Sequence, residues 1–189
     1  MDIAFLWLLE GIVKILVFVL MMVATNLFAG EDDQYRLTIG TKIFPTIVLG
    51  NLDLASCSEA GKLLILVVYY QNKEIADQVV SDLHSKIPTL SNYSVVVAPQ
   101  PVMSLDKVAD KVAGIFIAEP LNNYADKVVA YTVRTKTFSF SPFETDVQKG
   151  VLAGIEVLVS VKPVLNMETM NESKFRISDI FLKISKKIQ

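Results

Sequence analysis

The run Lys62–Tyr70, KLLILVVYY, constrains this chain more than any other segment. It is rich in β-formers, bounded by Gly61 on one side and Gln71-Asn72 on the other, and carries no charge after Lys62. A run this short and this apolar reads as a strand buried on both faces, which needs cover on both sides of its sheet. The segments after it supply that cover. Lys73–Ile87 repeats Ile75, Val79, Leu83 and Ile87 every fourth residue and meets Pro88, the pattern of an amphipathic helix with a stop. Tyr93–Ala98 (YSVVVA) is a second buried strand, Asp106–Val112 a short helix capped by Ser104, and Ala113–Ala118 (AGIFIA) a third strand. Asn122–Ala130 is predicted helical, with Asn122 or Asn123 as cap. Strands and helices that alternate in this way build a largely parallel sheet through right-handed crossovers.

The pattern changes towards the C-terminus. Thr137–Ser141 (TFSFS) and Gly154–Val161 (GIEVLVSV) alternate apolar and polar residues. Two such strands joined by the loop Pro142–Gly150 predict an antiparallel extension. Lys162-Pro163 is expected to end the long strand, and Asn166 to cap a helix beginning near Met167. Ser178–Ile188 reads as a closing amphipathic helix, capped by Ser178 and ending in lysines that complement its dipole. Ahead of the first strand, Tyr35–Gly50 has apolar residues mostly at helical spacing, with Pro45 as a kink or a mid-helix mark. The fold class is therefore α/β: a largely parallel central sheet flanked by helices, an antiparallel C-terminal extension and a final helix.

The N-terminus obeys a different logic. The mean hydropathy of +0.44 is high for a plain soluble domain, and much of the excess lies in Ile15–Ala29, which carries no charge. Fifteen residues fall short of the roughly 20 that span a bilayer. Lys14 before the run and Ala29 after it fit a secretory signal peptide over residues 1–29. Asp2 and Glu10 are unusual there, and initiation at Val13 through a GTG codon would give a signal of ordinary charge pattern. The competing reading is an uncleaved anchor over residues 3–29 in which Glu10 and Lys14 pair. Either way residues 30–189 form one domain outside the cytoplasm, in the periplasm, held at the inner membrane if the segment stays attached.

Composition removes several classes of function. A net charge of −2 offers no basic field for nucleic acid. One Cys (Cys57) and one His (His84) exclude an intrachain disulfide framework and make a metal site built from such ligands untenable. No metal or cofactor is expected. Two readings of Cys57 stay open: an inert thiol, or a bridge to a second chain in a homodimer. His84 reads as a surface residue of its helix. Phosphate-binding glycine loops and nucleophile elbows are absent from the sequence, so no catalytic residue is assigned. The segment Ser141–Asp146 is the densest polar cluster beside a strand end, and Arg134 and Lys136 flank the same strand.

From Ser141 to Ile188 the sequence resembles the C-terminal half of the YfiR-like bacterial proteins. The residues concerned are Gly150 and Gly154, the basic-Pro pair Lys162-Pro163, the Asn166-led helix, a short strand at Phe175–Ile177 and the final Leu-Lys-Ile-Ser helix. Thr41–Pro45 also resembles the family's opening helix, so the likeness runs over residues 35–187. Where family members commonly have a glycine before the short strand, this chain has Ser173-Lys174.

The resemblance implies a non-enzymatic periplasmic regulator that binds an inner-membrane diguanylate cyclase or sensor kinase, and so bears on cyclic-di-GMP signalling. Its expected contact surface is the 142–149 loop with the C-terminal helix, using Phe143, Glu144, Asp146 and Lys149. Phe143 is taken as an unpaired apolar residue on that surface. The alternative is a periplasmic module for a small ligand. Such ligands bind beyond the carboxyl ends of parallel strands, where Tyr69, Tyr70 and Glu119 fall.

Overall fold

Strand β1 (Lys62–Tyr69) stands at the centre of the computed structural model, which describes residues 32–109 and 111–189. The expected signal peptide lies outside the described residues. Five of the eight β1 residues are buried, four of them in the unbroken run Ile65–Val68. The strand pairs in parallel with β3 (Tyr93–Pro101) on one side and β4 (Gly114–Ile117) on the other. Beyond β4 come β5 (Ser139–Ser141) and β6 (Ala153–Val157), also parallel. An antiparallel strand β7 (Val161–Asn166) and a last parallel one, β8 (Lys186–Ile188), complete that flank. At the opposite edge β2 (Thr89–Leu90) forms a hairpin with β3. Its turn residues Ser91 and Asn92 both have positive φ, as a two-residue hairpin turn requires. The order is β2-β3-β1-β4-β5-β6-β7-β8.

Helix α1 (32–49) lies over β4 and β5. Phe44 packs edge-on to Phe116 at 5.4 Å and sits 5.7 Å from Phe140. Pro45 lies inside this helix. Helix α2 (Lys73–Lys86) runs beside it, with Lys86 Nζ donating to Thr41 Oγ1 at 2.9 Å. Helices α3 (Ala125–Thr135) and α5 (Met167–Ser173) pack on each other. Short helices α4 (Glu144–Gln148) and α6 (Asp179–Ile184) complete the set. The α/β class, the mainly parallel sheet and the antiparallel pairing near its C-terminal edge agree with the sequence reading.

Several boundaries differ from expectation, each for a physical reason. The β5 strand pairs in parallel with β6 through α4, so the Pro142–Gly150 segment is a helical crossover. The alternation in TFSFS is real, but both faces are buried. Phe138 and Phe140 meet Phe44, while the opposite face is made dry by hydrogen bonds: Thr132 Oγ1 to Ser139 Oγ at 2.9 Å and Ser141 Oγ to Asp146 Oδ2 at 2.8 Å. The antiparallel pair is β6–β7, because the Gly154–Val161 run turns at 158–160. Lys162 and Pro163 therefore lie within β7 and do not end the strand before it.

The C-terminal helix stops at Ile184, where Ser185 Oγ returns to Phe181 O at 2.7 Å, and the last residues become β8. The Phe175–Ile177 strand reduces to one bridge, Ile177 with Asn51. A 3-10 segment over Val102–Lys107 replaces the Asp106–Val112 helix, and Ser104 Oγ bonds back to Pro101 O instead of capping forward. Neither Asn122 nor Asn123 caps the next helix; a 3-10 turn over Asn122–Tyr124 leads into α3. The β3 strand is only half covered, with Val95 buried and Val96 exposed.

Candidate functional site

Strand β1 connects to β3 on one side and the chain later passes to β4 on the other, so the order reverses between β1 and β4. The crevice beyond their carboxyl ends is the usual ligand position in such sheets. Tyr69, Tyr70 and Glu119 do meet there. One oxygen of Glu119 accepts the backbone N–H groups of Tyr70 (2.7 Å), Gln71 (2.7 Å) and Asn72 (2.9 Å). These donors lead into the first turn of α2, the place where a helix holds an anion, and the chain's own carboxylate occupies it. The Tyr70 ring lies 4.3 Å from that of Tyr124, whose hydroxyl donates to the Tyr70 hydroxyl at 3.2 Å. Asn72 caps α2 with its side chain, accepting from Ile75 N at 3.1 Å.

The residues of the expected partner surface belong to the same end of the sheet. Phe143 is only 3% exposed, which corrects its reading as an unpaired surface residue. It precedes α4, and Ser141 Oγ holds its N–H at 3.1 Å, so the ring is delivered into the core. Asp146 is fully buried: Oδ1 accepts Leu121 N at 3.1 Å and Oδ2 accepts the Ser141 hydroxyl. Burial pushes its carboxyl up to about 6, against the opposing pull of those two bonds and of Lys149. Glu144 and Lys149 are exposed, and Lys149 Nζ donates to Asn122 O at 2.9 Å. The two candidate groups are thus one belt. Glu119 ties the segment after β4 to the β1–α2 loop, and Asp146 and Lys149 tie the same segment to α4.

Asn166 secures α4 from behind, with Nδ2 donating to Val147 O at 3.1 Å and Oδ1 accepting Thr169 N at 3.0 Å. As expected it caps α5. Glu144 also lines a small cavity of about 70 Å³ with Glu156, Lys186 and Ile188, so α4 does adjoin the C-terminal strand.

A larger opening lies at the amino end of the sheet, where no site residue was expected. A cleft of about 460 Å³ is lined by Cys57 and Asp53 ahead of β1, Lys136 after α3, and Lys174 and Arg176 after α5. Two backbone bonds close its wall, Leu52 N to Arg176 O at 3.0 Å and Ser178 N to Gly50 O at 2.9 Å. Arg176 Nη1 reaches Asp53 Oδ1 at 3.2 Å, with both side chains well exposed. Lys136 (φ 59°) and Lys174 (φ 54°) both hold left-handed backbone at the ends of their helices. No local pattern in the sequence marks this cleft, whose lining residues come from three separate segments. Burial pushes the half-buried Cys57 thiol up, and the carboxylate of Asp53 adds to it. His84 is exposed on α2. Among the described residues no group of three or more His, Cys, Asp or Glu could hold a metal ion, and no helix is long and apolar enough to cross a membrane.

No family model and no curated protein matches the chain. Among solved structures it is similar to the ABC domain in complex with L-Trp from Streptococcus pneumonia, at 12% identity and a TM-score of 0.48, over 76% of this chain and 60% of that one. It is also similar to a conserved domain protein from Vibrio cholerae O1 biovar El Tor, at 14% identity and a TM-score of 0.49, over 67% of this chain and 54% of that one. The chain thus spans little more than half the length of these proteins.

Proposed function

We propose that this chain is an exported, non-catalytic module that binds a small anionic ligand in the amino-end cleft. The observation that carries the reading is the pair Lys136 and Lys174. Each holds a left-handed conformation that costs a residue with a Cβ about 1 kcal/mol, and both line one cleft. Unfavourable backbone is retained where the side chain it presents has a use. Lys136, Lys174 and Arg176 face one acid, Asp53, across a volume that suits a small molecule. The Arg176–Asp53 pair is exposed and worth under about 1 kcal/mol, so an incoming carboxylate or phosphate can take over the guanidinium fork.

Nucleophilic catalysis is disfavoured there. The Cys57 thiol, pushed up by burial, stays protonated at neutral pH, and the exposed His84 lies on α2 while the cleft is walled by other segments. Export rests on the apolar run Ile15–Ala29. The regulator reading, in which the chain binds an inner-membrane cyclase or sensor kinase, rests on the export signal, the YfiR-like resemblance and the lack of a nucleophile or metal cluster in the sequence; the ligand reading rests on the cleft.

The test is thermal unfolding against a panel of small carboxylates and phosphates at up to about 10 mM, since a ligand of the native state raises Tm by mass action. A saturable rise that disappears in Lys136→Glu/Lys174→Glu is the expected result. If no anion in the panel raises the Tm of the unaltered protein, the reading fails.

A further inference from the structure

The β6–β7 hairpin ends in an apolar tip. Leu158 is 76% exposed and Val159 is fully exposed, at the point where a soluble hairpin would carry Gly, Asn or Asp. On α6, Ile180 (76%) and Ile184 (59%) stand one turn apart on the outer side, while Phe181 faces the core. Outward isoleucines at that spacing form an apolar stripe on a helix whose other flank already packs.

The register brings the two features to one end of the sheet. β7 and β8 run in parallel with Val164 opposite Lys186. Helix α6 starts beside Gly50 and ends at Ile184, just before β8 begins, so its last turn with Lys183 and Ile184 is the part brought towards the end at which β7 begins with Val161 and Lys162. β6 runs parallel to β5, so this is the carboxyl end, opposite the cleft. Lysines outnumber acids around the apolar tip: Lys162, Lys183, Lys186 and Lys187 stand against Glu156 on β6 and Asp179 at the start of α6. Lys186 pairs with Glu156, which leaves Lys162, Lys183 and Lys187 exposed beside the aliphatic side chains. From Asp179 to Gln189 there are three lysines and one acid, in a chain whose net charge is −2.

We propose that the hairpin tip and the outer face of α6 dock on an anionic lipid surface, with Leu158 and Val159 entering the headgroup boundary and the lysines meeting lipid phosphates. Apolar side chains flanked by lysines are the pattern that binds such surfaces, and each lysine near the surface adds to the attraction. Charge complementarity selects lipid over a second copy of this chain, whose matching patch would carry the same lysines and repel them. Docked in this way, the protein turns its amino-end cleft away from the membrane.

The experiment uses the full chain as Trp7→Phe/Val159→Trp, so that the single tryptophan reports the tip whatever the N-terminal segment does. Vesicles of equal parts phosphatidylglycerol and phosphatidylcholine are compared with phosphatidylcholine alone, with and without brominated acyl chains. The expected result is a blue shift and bromine quenching that need phosphatidylglycerol and weaken at least ten-fold in partition when Lys162, Lys183 and Lys187 are each changed to Glu. Unchanged emission with either vesicle overturns the proposal. So does a blue shift without vesicles that grows with protein concentration, which would show a second copy covering the tip. A shift equal on both vesicles overturns the role of the lysines.

Discussion

The two ends of the sheet use their charges in opposite ways. At the carboxyl end two acids are tied inward, Glu119 to three backbone N–H groups and Asp146 to Leu121 N and Ser141 Oγ, and Lys149 closes on Asn122 O. At the amino end Lys136, Lys174 and Arg176 rim an open cleft with one weak exposed pair between them. The position that parallel sheets commonly offer to a ligand is here crossed by the chain's own staples. Such staples make a rigid end, and their removal should cost stability. Charges around an opening contribute little to stability, and their removal should cost binding. The comparison can therefore be broken residue by residue.

The sharpest break is expected at Gly154, inside the rigid end. A Cβ placed there would lie 2.4 Å from Ser141 O and 2.4 Å from Val147 Cγ2, closer than real Cβ atoms approach backbone. Gly154→Val must push β6 from β5 or α4 from the sheet. We expect a loss above about 3 kcal/mol, of the size that overpacked sites reach, read by urea unfolding. A loss under about 1 kcal/mol would show that the end is soft.

Asp146 gives the next effect, through pH. Its carboxyl is raised from 3.8 to about 6 by burial, so the folded state holds its proton after the unfolded state has lost it. The stabilisation is fully present below the unfolded value, falls as pH rises through about 6, and is gone above it. The fall amounts to at most about 3 kcal/mol. Asp146→Asn keeps an acceptor for Leu121 N and turns the acceptor of the Ser141 hydroxyl into a donor to its oxygen, with no group left to titrate. Its stability should stay flat between pH 4 and 7 and exceed that of the unaltered protein at pH 7. Parallel pH slopes for the two proteins would remove Asp146 from the account.

Glu119→Ala should cost about 2 kcal/mol, since three N–H groups lose a charged acceptor, two of them where water can replace it. A fall in hydrogen-exchange protection at Tyr70–Asn72 is the accompanying sign. An unchanged exchange pattern would mean that water does the same work.

How far this division could be read beforehand depends on how local each feature is. β1, α2 and β4 show in runs of hydrophobicity and periodicity, and the caps by Ser178 and Asn166 in three-residue spacings: Ser178 Oγ accepts from Phe181 N at 3.4 Å and Asn166 Oδ1 from Thr169 N at 3.0 Å. Other features are settled by partners distant in sequence. The serines of β5 alternate like a wet face, but α3 and α4 bury them. The 158–160 turn contains neither Gly nor Pro, so nothing interrupts the apolar run. Lys186–Ile188 continues a helical spacing and becomes a strand because β7 is there to pair with. Glu119 stood out as a carboxylate at a strand end, but its donors lie 47 to 49 residues earlier. The cleft assembles three loops, and no local pattern in the sequence marks it.

The two cleft lysines carry the smallest stability effect. Lys136→Gly and Lys174→Gly place at each helix end the residue best suited to positive φ. If the lysines serve only to close their helices, losing a cation near the negative helix ends should cost a few tenths of a kcal/mol and partly cancel the backbone gain. If they serve a ligand, the double variant should be as stable as the unaltered protein or more so, by up to about 1 kcal/mol each, while losing the anion-dependent rise in Tm. Stability and binding then move in opposite directions, as expected of an open end and not of the stapled one. A double variant that keeps the anion response would leave Arg176 as the sole cation needed. A double variant that loses stability and binding together would make these lysines staples too, and the contrast between the two ends would disappear.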